Sequence, residues 1–258
     1  MRTHTLGAIG EVIGSGMRHA AGAAVDLVFP PCCCNCGVMV GRGSALCPGC
    51  WSTVAFIERP FCEVLGMPFA FDQGEGTVCG EAIAHPPVFD RLRAVAAYDG
   101  IAGKLVHQLK YRDRTDLAPM MAEWMRRAGA AEISACDAIV AVPLHWRRLA
   151  WRHFNQSAEL ARHVSGLSGK PFAAGALVRA KPTARQVGLT KTARETNVRG
   201  AFQVPVSGRA EVSGRRLVLV DDVYTTGATV SAAARALKRA GAADVTVLTF
   251  ARVISGPI

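Results

Sequence analysis

One stretch of the sequence, RRLVLVDDVYTTGATVSAAARALKRAG at residues 215–241, constrains the fold more than any other. It begins with an apolar, β-branched run, which predicts a buried strand over 217–220. Asp221 and Asp222 end that run, and a helical pattern starts after a loop rich in threonine. Two adjacent charges at the end of a buried strand are costly unless a ligand uses them. The stretch therefore predicts a strand, a binding loop and a helix of an α/β protein.

The loop after the two carboxylates carries groups that hold a phosphate. Thr225, Thr226 and Thr229 supply hydroxyls around Gly227, and the free N–H groups at the start of a helix attract an anion. Neighbouring carboxylates accept hydrogen bonds from vicinal hydroxyls. The loop matches neither GxxxxGK[ST] nor GxGxxG, the two common phosphate-binding patterns. A sugar that bears a phosphate offers an anion to the loop and vicinal hydroxyls to the carboxylates.

The chain from Phe89 onward alternates between short apolar runs and helical patterns. Such alternation predicts a parallel sheet flanked by helices, which binds ligands at the carboxyl ends of its strands. Three loops lie where such a sheet binds its ligand: 143–154, 179–199 and 221–229. We interpret the second loop as a lid over the ligand. The predicted strands are 93–98, 138–142, 217–220 and 245–250. The predicted helices are 101–110, 117–128, 155–165 with Asn155 near its cap, and 229–240.

Eight of the nine cysteines lie between residues 32 and 79, which marks a separate small module. The module contains two CxxC turns that we expect to face each other. Cys33 and Cys36 belong to the first turn, and Cys47 and Cys50 belong to the second. Four thiolates on two such turns complete a tetrahedral shell for zinc, which stabilises a module too small for its own core. We therefore predict one structural zinc, bound by these four cysteines. Cys32 and Cys34 are alternatives to Cys33, although only Cys33 has the CxxC interval to Cys36.

The cysteine pattern starts again after Trp51, with Cys62 in PFCEVLGMP and Cys79 in VCGEA. A second four-cysteine site needs ligands at two positions that Leu65 and Ala82 occupy instead. We interpret this part as a degenerate second knuckle held by apolar packing. The predicted organisation is an amino-terminal helix over 1–29, the zinc-ribbon module over 30–90, and an α/β domain over 91–258.

The net charge of +10 favours an anionic partner, and the basic residues concentrate in 143–200. Residues 1–29 resemble a signal peptide only superficially, because Glu11, Arg18, His19 and Asp26 interrupt every apolar run. No later run reaches the roughly 18 apolar residues that span a membrane. We predict a cytoplasmic protein that has no membrane span.

The stretch VLVDDVYTTGATV, residues 218–230, resembles the signature with which type I phosphoribosyltransferases bind 5-phosphoribosyl 1-pyrophosphate (PRPP). Cysteine knuckles followed by such a domain resemble the ComF/GntX family, which combines a double zinc ribbon with a phosphoribosyltransferase domain. Three more motifs extend the resemblance over nearly the whole chain from residue 30: LVHQLKYR at 105–112, AVPLHWRRLAWRHFNQSAELAR at 141–162 and LVRAKPTARQVGLTKTARETNVRGAF at 177–202. The resemblance implies a phosphoribosyltransferase domain over 91–258.

The resemblance also implies roles for the matching residues. Asp221 and Asp222 would hold the ribose hydroxyls, and Arg147 and Arg148 would neutralise pyrophosphate, which makes these four the predicted catalytic residues. The predicted PRPP contacts are Asp221, Asp222, Val223, Tyr224, Thr225, Thr226, Gly227, Ala228, Thr229, Pro143, Leu144 and Arg194. The lid would close over the substrate with Arg179, Thr183, Gln186, Arg194 and Asn197. Mg²⁺ would accompany PRPP.

Two features depart from the family pattern. His153 stands where the motif RGFNQ has glycine, which distorts a turn that glycine would ease. The missing cysteines at Leu65 and Ala82 argue for one zinc where the family name implies two.

Three functions remain open on the sequence. The resemblance implies a pentosyltransferase that moves the phosphoribosyl group of PRPP to an unidentified nitrogen acceptor, a nucleobase or an amine, and releases pyrophosphate. The first alternative is a binding protein that responds to PRPP or a phosphoribosyl nucleotide without turnover. The second is a factor for single-stranded DNA that works with the DNA-uptake machinery, for which Trp146, Trp151 and Phe154 are the aromatic residues among the basic ones.

We assign structural rather than functional roles to several residues outside these motifs. We interpret Lys110 and Tyr111 as a solvated helix end near the first strand, with contact to the substrate as the alternative. His107, His145 and His163 lack metal-ligand partners at useful spacing, so we interpret them as surface or packing residues. Cys136 is predicted to be a small core residue.

Overall fold

A computed structural model describes residues 30–41, 45–145, 154–181 and 190–254 of the protein. The predicted amino-terminal helix lies outside these ranges. So do Arg147 and Arg148 of the predicted pyrophosphate loop, His153 beside it, and Thr183 and Gln186 of the predicted lid. The chain divides into two compact units, residues 1–52 and 53–258.

The described part of the first unit consists of two cysteine turns. The first is closed by an antiparallel bridge between Cys32 and Met39, and Gly37 adopts a φ of 78° at its tip. The second turn leads into a short helix, α1 (Pro48–Trp51), which has Cys47 as its N-cap residue and a proline in its first turn. Each turn therefore presents its cysteines from a tightly fixed backbone.

The second unit is built on a four-stranded sheet in which all neighbouring strands are parallel. Its strands are β1 (Arg91–Ala97), β2 (Ala138–Ala141), β5 (Arg216–Tyr224) and β6 (Asp244–Arg252), in the order β1-β6-β5-β2. A separate antiparallel pair joins β3 (Val178–Arg179) and β4 (Phe202–Gln203). The central strands β5 and β6 are buried along most of their length, as expected where both faces of a parallel sheet are covered.

Helices cover both faces of this sheet. They are α2 (Gly80–Ala84), α3 (Gly100–Tyr111), α4 (Ala118–Ala128), α5 (Ala130–Ala135), α6 (Gln156–Ser168), α7 (Lys191–Val198), α8 (Arg209–Val212) and α9 (Ala228–Arg239). On one face, Leu237 of α9 belongs to the same buried cluster as Val245 and Val247 of β6. On the other, Trp124 of α4 stacks on Phe250 of β6 with ring centroids 5.8 Å apart. Among the described residues, no helix is long and apolar enough to cross a membrane.

The structure confirms the predicted fold class, a parallel sheet flanked by helices. Two predicted loops contain more regular structure than expected. Strand β5 continues through the acidic pair to Tyr224, because β6 offers ladder partners that far, Thr249 to Asp221 and Arg252 to Tyr224. Within the predicted lid, Thr190 caps α7 by accepting a hydrogen bond from the N–H group of Ala193.

The degenerate second knuckle shares the core of the sheet. Cys62, Leu65, Ala82 and Phe89 are buried in the same cluster as Leu217 of β5. The sequence placed this segment in the zinc-ribbon module over 30–90. Its burial on the sheet is a tertiary feature, and the three predicted domain limits stay predictions.

Candidate functional site

The acidic pair lies at the carboxyl end of β5, where a parallel sheet exposes its binding edge. The Asp221 carboxylate accepts a hydrogen bond of 2.8 Å from Ser157 Oγ and one of 3.0 Å from the backbone N–H of Asp222. Both bonds end on Oδ1 of Asp221. Asp222, which is only 5% exposed, has its Oδ1 atom 2.8 Å from Nζ of Lys110. The pair is therefore anchored on one side by α6 and on the other by α3.

Lys110 was interpreted from the sequence as a solvated helix end, and this interpretation was wrong. Its ammonium group forms an ion pair with Asp222, and the side chain is 26% exposed. Burial disfavours the charged amine, but the attraction of Asp222 and then of Asp221 outweighs it and raises the pKa of Lys110 above its ordinary value. No local pattern signals this contact, because β1 and α3 lie more than a hundred residues before β5 in the chain.

The acidic pair is electrostatically strained. Desolvation, followed by repulsion from Asp222, raises the pKa of Asp221 to about 7. The positive charge of Lys110 and the Ser157 hydrogen bond act in the opposite direction but do not cancel the rise. A ligand that offers hydroxyl donors or positive charge would relieve this repulsion. A carboxyl group with such a pKa is typical of functional sites.

Ser157 was not among the predicted site residues. Its position depends on the start of α6, where the Asn155 side chain accepts a hydrogen bond from the Ser157 N–H and donates one of 3.1 Å to the carbonyl of Val142. Asn155 thus joins the end of β2 to the first turn of α6. The predicted cap identified Asn155, but only the packing of α6 beside β5 shows that Ser157 contacts Asp221.

The threonine loop after the acidic pair bends into α9 at Gly227. Gly227 has a φ of 75°, and a Cβ atom there would lie 2.6 Å from the phenolic oxygen of Tyr224. Glycine is required at this position for both reasons. Among the described residues, the buried Oγ1 atom of Thr226 has no hydrogen-bond partner. Together with the N–H groups at the start of α9, this hydroxyl makes a cradle that suits a phosphate.

Arg194 reaches the cradle from α7. Its guanidinium lies 3.2 Å from Thr225 Oγ1, so a residue of the predicted lid lies beside the predicted phosphate loop. Arg179, another residue assigned to the lid, is instead buried on β3 against the ring of Phe202, at 5.1 Å. Pro143 and Leu144 follow β2 directly and lie partly exposed beyond its end. Because Val142 bonds to the carbonyl of Val220 in β5, they emerge at the same edge as the acidic pair.

The first unit holds a separate cluster of four cysteines. The Sγ atoms of Cys33, Cys36, Cys47 and Cys50 all lie within 4.8 Å of one another. Two sulfurs bound to one tetrahedral zinc lie about 3.8 Å apart, and those of Cys36 and Cys47 are 3.7 Å apart. Burial raises the pKa of the Cys33 thiol, but hydrogen bonds from backbone N–H groups outweigh it and lower the pKa to about 6. The four cysteines therefore form a site suited to zinc.

The structure selects Cys33 over its neighbours as the first of these ligands. The thiol of Cys32 lies 3.2 Å from the carbonyl oxygen of Pro30, and that of Cys34 lies 3.3 Å from the carbonyl oxygen of Ala45. Neither belongs to the cluster of four sulfurs. The alternatives left open by the sequence are thereby decided in favour of the CxxC interval.

The second knuckle repeats the backbone of the first with only two of the four cysteines. The N–H of Cys33 bonds to the carbonyl of Val38, and the N–H of Cys62 bonds equivalently to that of Met67. At the two positions that lack cysteine, Leu65 and Ala82 are 5% and 4% exposed. A guanidinium N–H of Arg252 donates to the Leu65 carbonyl. The described residues contain no second four-ligand cluster, so the fold of the ribbon persists here through packing.

Comparison with known proteins finds two domain models that match the chain. A double zinc ribbon domain model matches residues 24–83, and a phosphoribosyl transferase domain model matches residues 144–257. DNA utilization protein YhgH of Escherichia coli (strain K12) is 32% identical over 235 residues, which cover 88% of this chain and 100% of that protein. Competence protein F of Haemophilus influenzae is 29% identical over 81% of this chain and 91% of that protein.

A solved structure, that of the allosteric regulatory enzyme of purine biosynthesis, matches 56% of this chain and 30% of its own at 21% identity, with a TM-score of 0.39. A score this low adds nothing to the fold described above. The two domain models and the near full-length relatives do decide the family. The chain belongs to the ComF family of proteins, which join a double zinc ribbon to a phosphoribosyltransferase domain.

Proposed function

We propose that the protein binds PRPP at the carboxyl edge of β5 and transfers its phosphoribosyl group to a nitrogen acceptor, with release of pyrophosphate. The observation that carries this proposal is the buried pair Asp221 and Asp222, followed at once by the Gly227 turn into α9. A single ligand that carries neighbouring hydroxyls and a phosphate accounts for both the acidic pair and the Gly227 turn. The phosphoribosyl transferase model that matches residues 144–257 supports the same ligand.

Each carboxylate keeps one oxygen for the sugar. Among the described residues, the hydrogen bonds and the ion pair of the acidic pair involve Oδ1 of Asp221 and Oδ1 of Asp222. The two Oδ2 atoms are thus available to accept from the 2′- and 3′-hydroxyls. Such charge-assisted hydrogen bonds contribute about 1.5–3 kcal/mol each.

The 5′-phosphate would lie in front of α9. The N–H groups of the first turn and the Thr226 hydroxyl would donate to it, and the helix dipole would favour its charge. Arg194, now beside Thr225, would add a cation on the open side. Thr226 thereby gains the partner that it lacks among the described residues.

Mg²⁺ fits the same edge. Carboxylates, ribose hydroxyls and pyrophosphate oxygens are the hard ligands that this ion takes, and a bound Mg²⁺ would neutralise the charge of the leaving pyrophosphate. Pro143, Leu144 and the predicted residues Arg147 and Arg148 would surround the pyrophosphate. Their assignment rests on the resemblance, since the two arginines lie outside the described residues.

The chain would act mainly by positioning and by electrostatics. The bond from ribose C1′ to pyrophosphate oxygen breaks with both electrons leaving on pyrophosphate, and the acceptor nitrogen forms the new bond to C1′. Asp221 and Asp222 fix the ring by its hydroxyls and stabilise positive charge that develops on it. Closure of the segment that carries Arg194 would exclude water, which otherwise hydrolyses the sugar.

The test is pyrophosphate release from PRPP and Mg²⁺ with a panel of nucleobases and amines. At least one acceptor should give release, and Asp222→Asn should lower kcat/KM about 10-fold or more. Asp116→Asn, which removes an exposed carboxylate paired with Arg114, serves as the matched control and should leave the rate unchanged. Tight PRPP binding with no release for any acceptor would instead favour a protein that responds to PRPP without turnover. Absence of PRPP binding would refute both.

A second candidate function is the handling of single-stranded DNA. Its support is the name and high coverage of the relatives, a DNA utilization protein and a competence protein. The net charge of +10 suits a polyanion. This function and PRPP binding use different chemistry, so one chain can carry both.

A further inference from the structure

A cavity of about 680 Å³ runs along α9 within the second unit. One wall is the helix itself, from Ala228 at its start to Arg239 at its end. The segment after the second knuckle also lines the cavity, with Pro86 and Pro87, as do Phe202 and Tyr224. At about 1.5 Å per residue, the helical wall is about 18 Å long. We call this cavity the α9 groove.

The α9 groove is lined by arginines that form no ion pair with the described residues. Arg199, Arg235 and Arg239 line it and are exposed, and within the described ranges none of the three forms an ion pair or a side-chain hydrogen bond. Lys181 also lies close, since its Nζ atom would be 3.5 Å from a Cβ atom at Gly200 in the lining. Among the described residues of the lining, Glu81 is the one acidic residue. The lining therefore carries an excess of positive charge.

Helix stability does not explain these arginines. Arg235 and Arg239 lie at i and i+4 on one face of α9, where like charges destabilise a helix by about 0.2–0.5 kcal/mol. The helix dipole favours Arg239 in the last turn but not Arg235 one turn earlier. Lys238, by contrast, forms an ion pair of 2.6 Å with Asp90. A bound anion would account for the positions of Arg235 and Arg239, which ion pairs within the described residues do not explain.

PRPP is not that ligand. Its phosphate would lie ahead of the first turn of α9 and its ribose at the acidic pair on β5. Arg235 and Arg239 lie behind the first turn, about 12 and 18 Å along the helix from Gly227. A longer anion is required, with charges repeated at about the distance of one helical turn. Consecutive phosphates of an extended nucleic-acid strand meet this requirement, and the apolar and aromatic lining suits its bases.

We infer that the α9 groove binds the backbone of a single-stranded nucleic acid, with Arg199, Arg235 and Arg239 as its phosphate contacts. This inference rests on the second of the two proposed functions and gives it a location. Thr226 and Ala228 of the phosphate cradle line the same cavity, but none of the three arginines belongs to the cradle. Substitution of the arginines therefore tests the groove separately from PRPP binding.

The test measures binding of a fluorescently labelled oligothymidylate to the full-length protein by anisotropy, at several salt concentrations. Arg235→Gln/Arg239→Gln should weaken binding about 10-fold and make the slope of log K against log salt shallower by about 1.4. Arg126→Gln/Arg127→Gln removes the same charge from α4, where both arginines pair with Glu123, and should change affinity less than about 2-fold. PRPP affinity should be the same in both double variants.

Each other outcome has a distinct meaning. If the unaltered protein does not bind the strand, the DNA function and the α9 groove both fail, while PRPP binding on the same preparation still decides the transferase proposal. If both double variants weaken the strand equally, net charge alone explains binding and the groove is refuted. If polyglutamate displaces the strand and depends equally on Arg235 and Arg239, the groove accepts acidic protein segments and the inference is overturned.

Discussion

The Lys110 ammonium lies 2.8 Å from Asp222 Oδ1 and joins the end of α3 to the end of β5. This contact gives the acidic pair a positive neighbour in the free protein. It lowers the energetic cost of two adjacent carboxylates, since one of them is always compensated. On the proposed function, Mg²⁺ that arrives with the substrate would add to the positive charge that Lys110 already supplies.

Lys110→Met removes the charge and keeps the apolar stem. We expect the free energy of unfolding to fall by about 1–3 kcal/mol, less than for a fully buried pair because Lys110 is partly exposed. In a double-mutant cycle, Lys110→Met/Asp222→Asn should recover part of that loss, measured by urea unfolding. Arg114→Met, which breaks an exposed pair with Asp116, should cost under about 1 kcal/mol. Strictly additive effects at Lys110 and Asp222 would contradict the contact.

Affinity for PRPP should depend on the ionisation of Asp221. Because its pKa is about 7 in the free protein, the carboxylate that accepts from ribose forms only as the pH rises through neutrality. Affinity measured by calorimetry should therefore increase from pH 6 to pH 8. The second ionisation of a phosphate lies near pH 6 and contributes as well, so Asp221→Asn is the reference. The ratio of the two affinities should change about 10-fold over this interval, and a constant ratio would refute the role of Asp221.

The same pKa determines how Asp221 affects stability. Its folded-state pKa is raised above the ordinary value of 3.8, so its contribution is fully present below pH 3.8 and is lost as the pH rises to about 7. Compared with the unaltered protein, Asp221→Asn should become progressively more stable from pH 4 to pH 7 and show no further gain above. Thermal unfolding across this range tests the direction. A difference that shrinks with rising pH would contradict the assigned shift.

Zinc should be present at about one ion per chain. Cys36→Ser or Cys50→Ser should remove it, because each takes one sulfur from the cluster of four. Cys32→Ser should retain it, as should Cys62→Ser in the second knuckle. Metal analysis by mass spectrometry measures all four variants. Two zinc ions per chain would show that the second knuckle binds metal after all.

Gly227→Ala should damage the phosphate cradle. The left-handed φ of 75° costs a non-glycine residue about 1–2 kcal/mol, and the new Cβ would also press on the Tyr224 hydroxyl. Gly169→Ala is the matched control, since Gly169 has a φ of 70° but no atom near its Cβ position. Both variants should lose stability in urea unfolding, and only Gly227→Ala should lose PRPP affinity. Equal PRPP affinity in the two would show that the loop does not hold the phosphate.

The sequence by itself determined which local structures form and which chemistry they carry. Apolar runs, helical periodicity and CxxC spacing predicted the sheet, its helices and the four-cysteine site, because these signals arise from neighbours in the chain. The same local logic predicted that Asp221, Asp222 and Gly227 form a ligand site, and this stays a prediction. The predicted end of the strand at residue 220 was less accurate, since β5 extends to Tyr224 only because β6 pairs with it.

Only the tertiary structure decided which side chains from distant segments of the chain contact one another. Lys110 meets Asp222, and Ser157 meets Asp221, because α3 and α6 pack beside β5, and no local pattern encodes contacts over such separations. The burial of Leu65 and Ala82 on the sheet likewise explains how a ribbon persists without a complete set of four cysteines. The α9 groove is lined both by α9 and by a segment after the second knuckle, which lie more than a hundred residues apart in the chain. Charge and burial at these sites depend on three-dimensional packing, which the order of residues along the chain does not display.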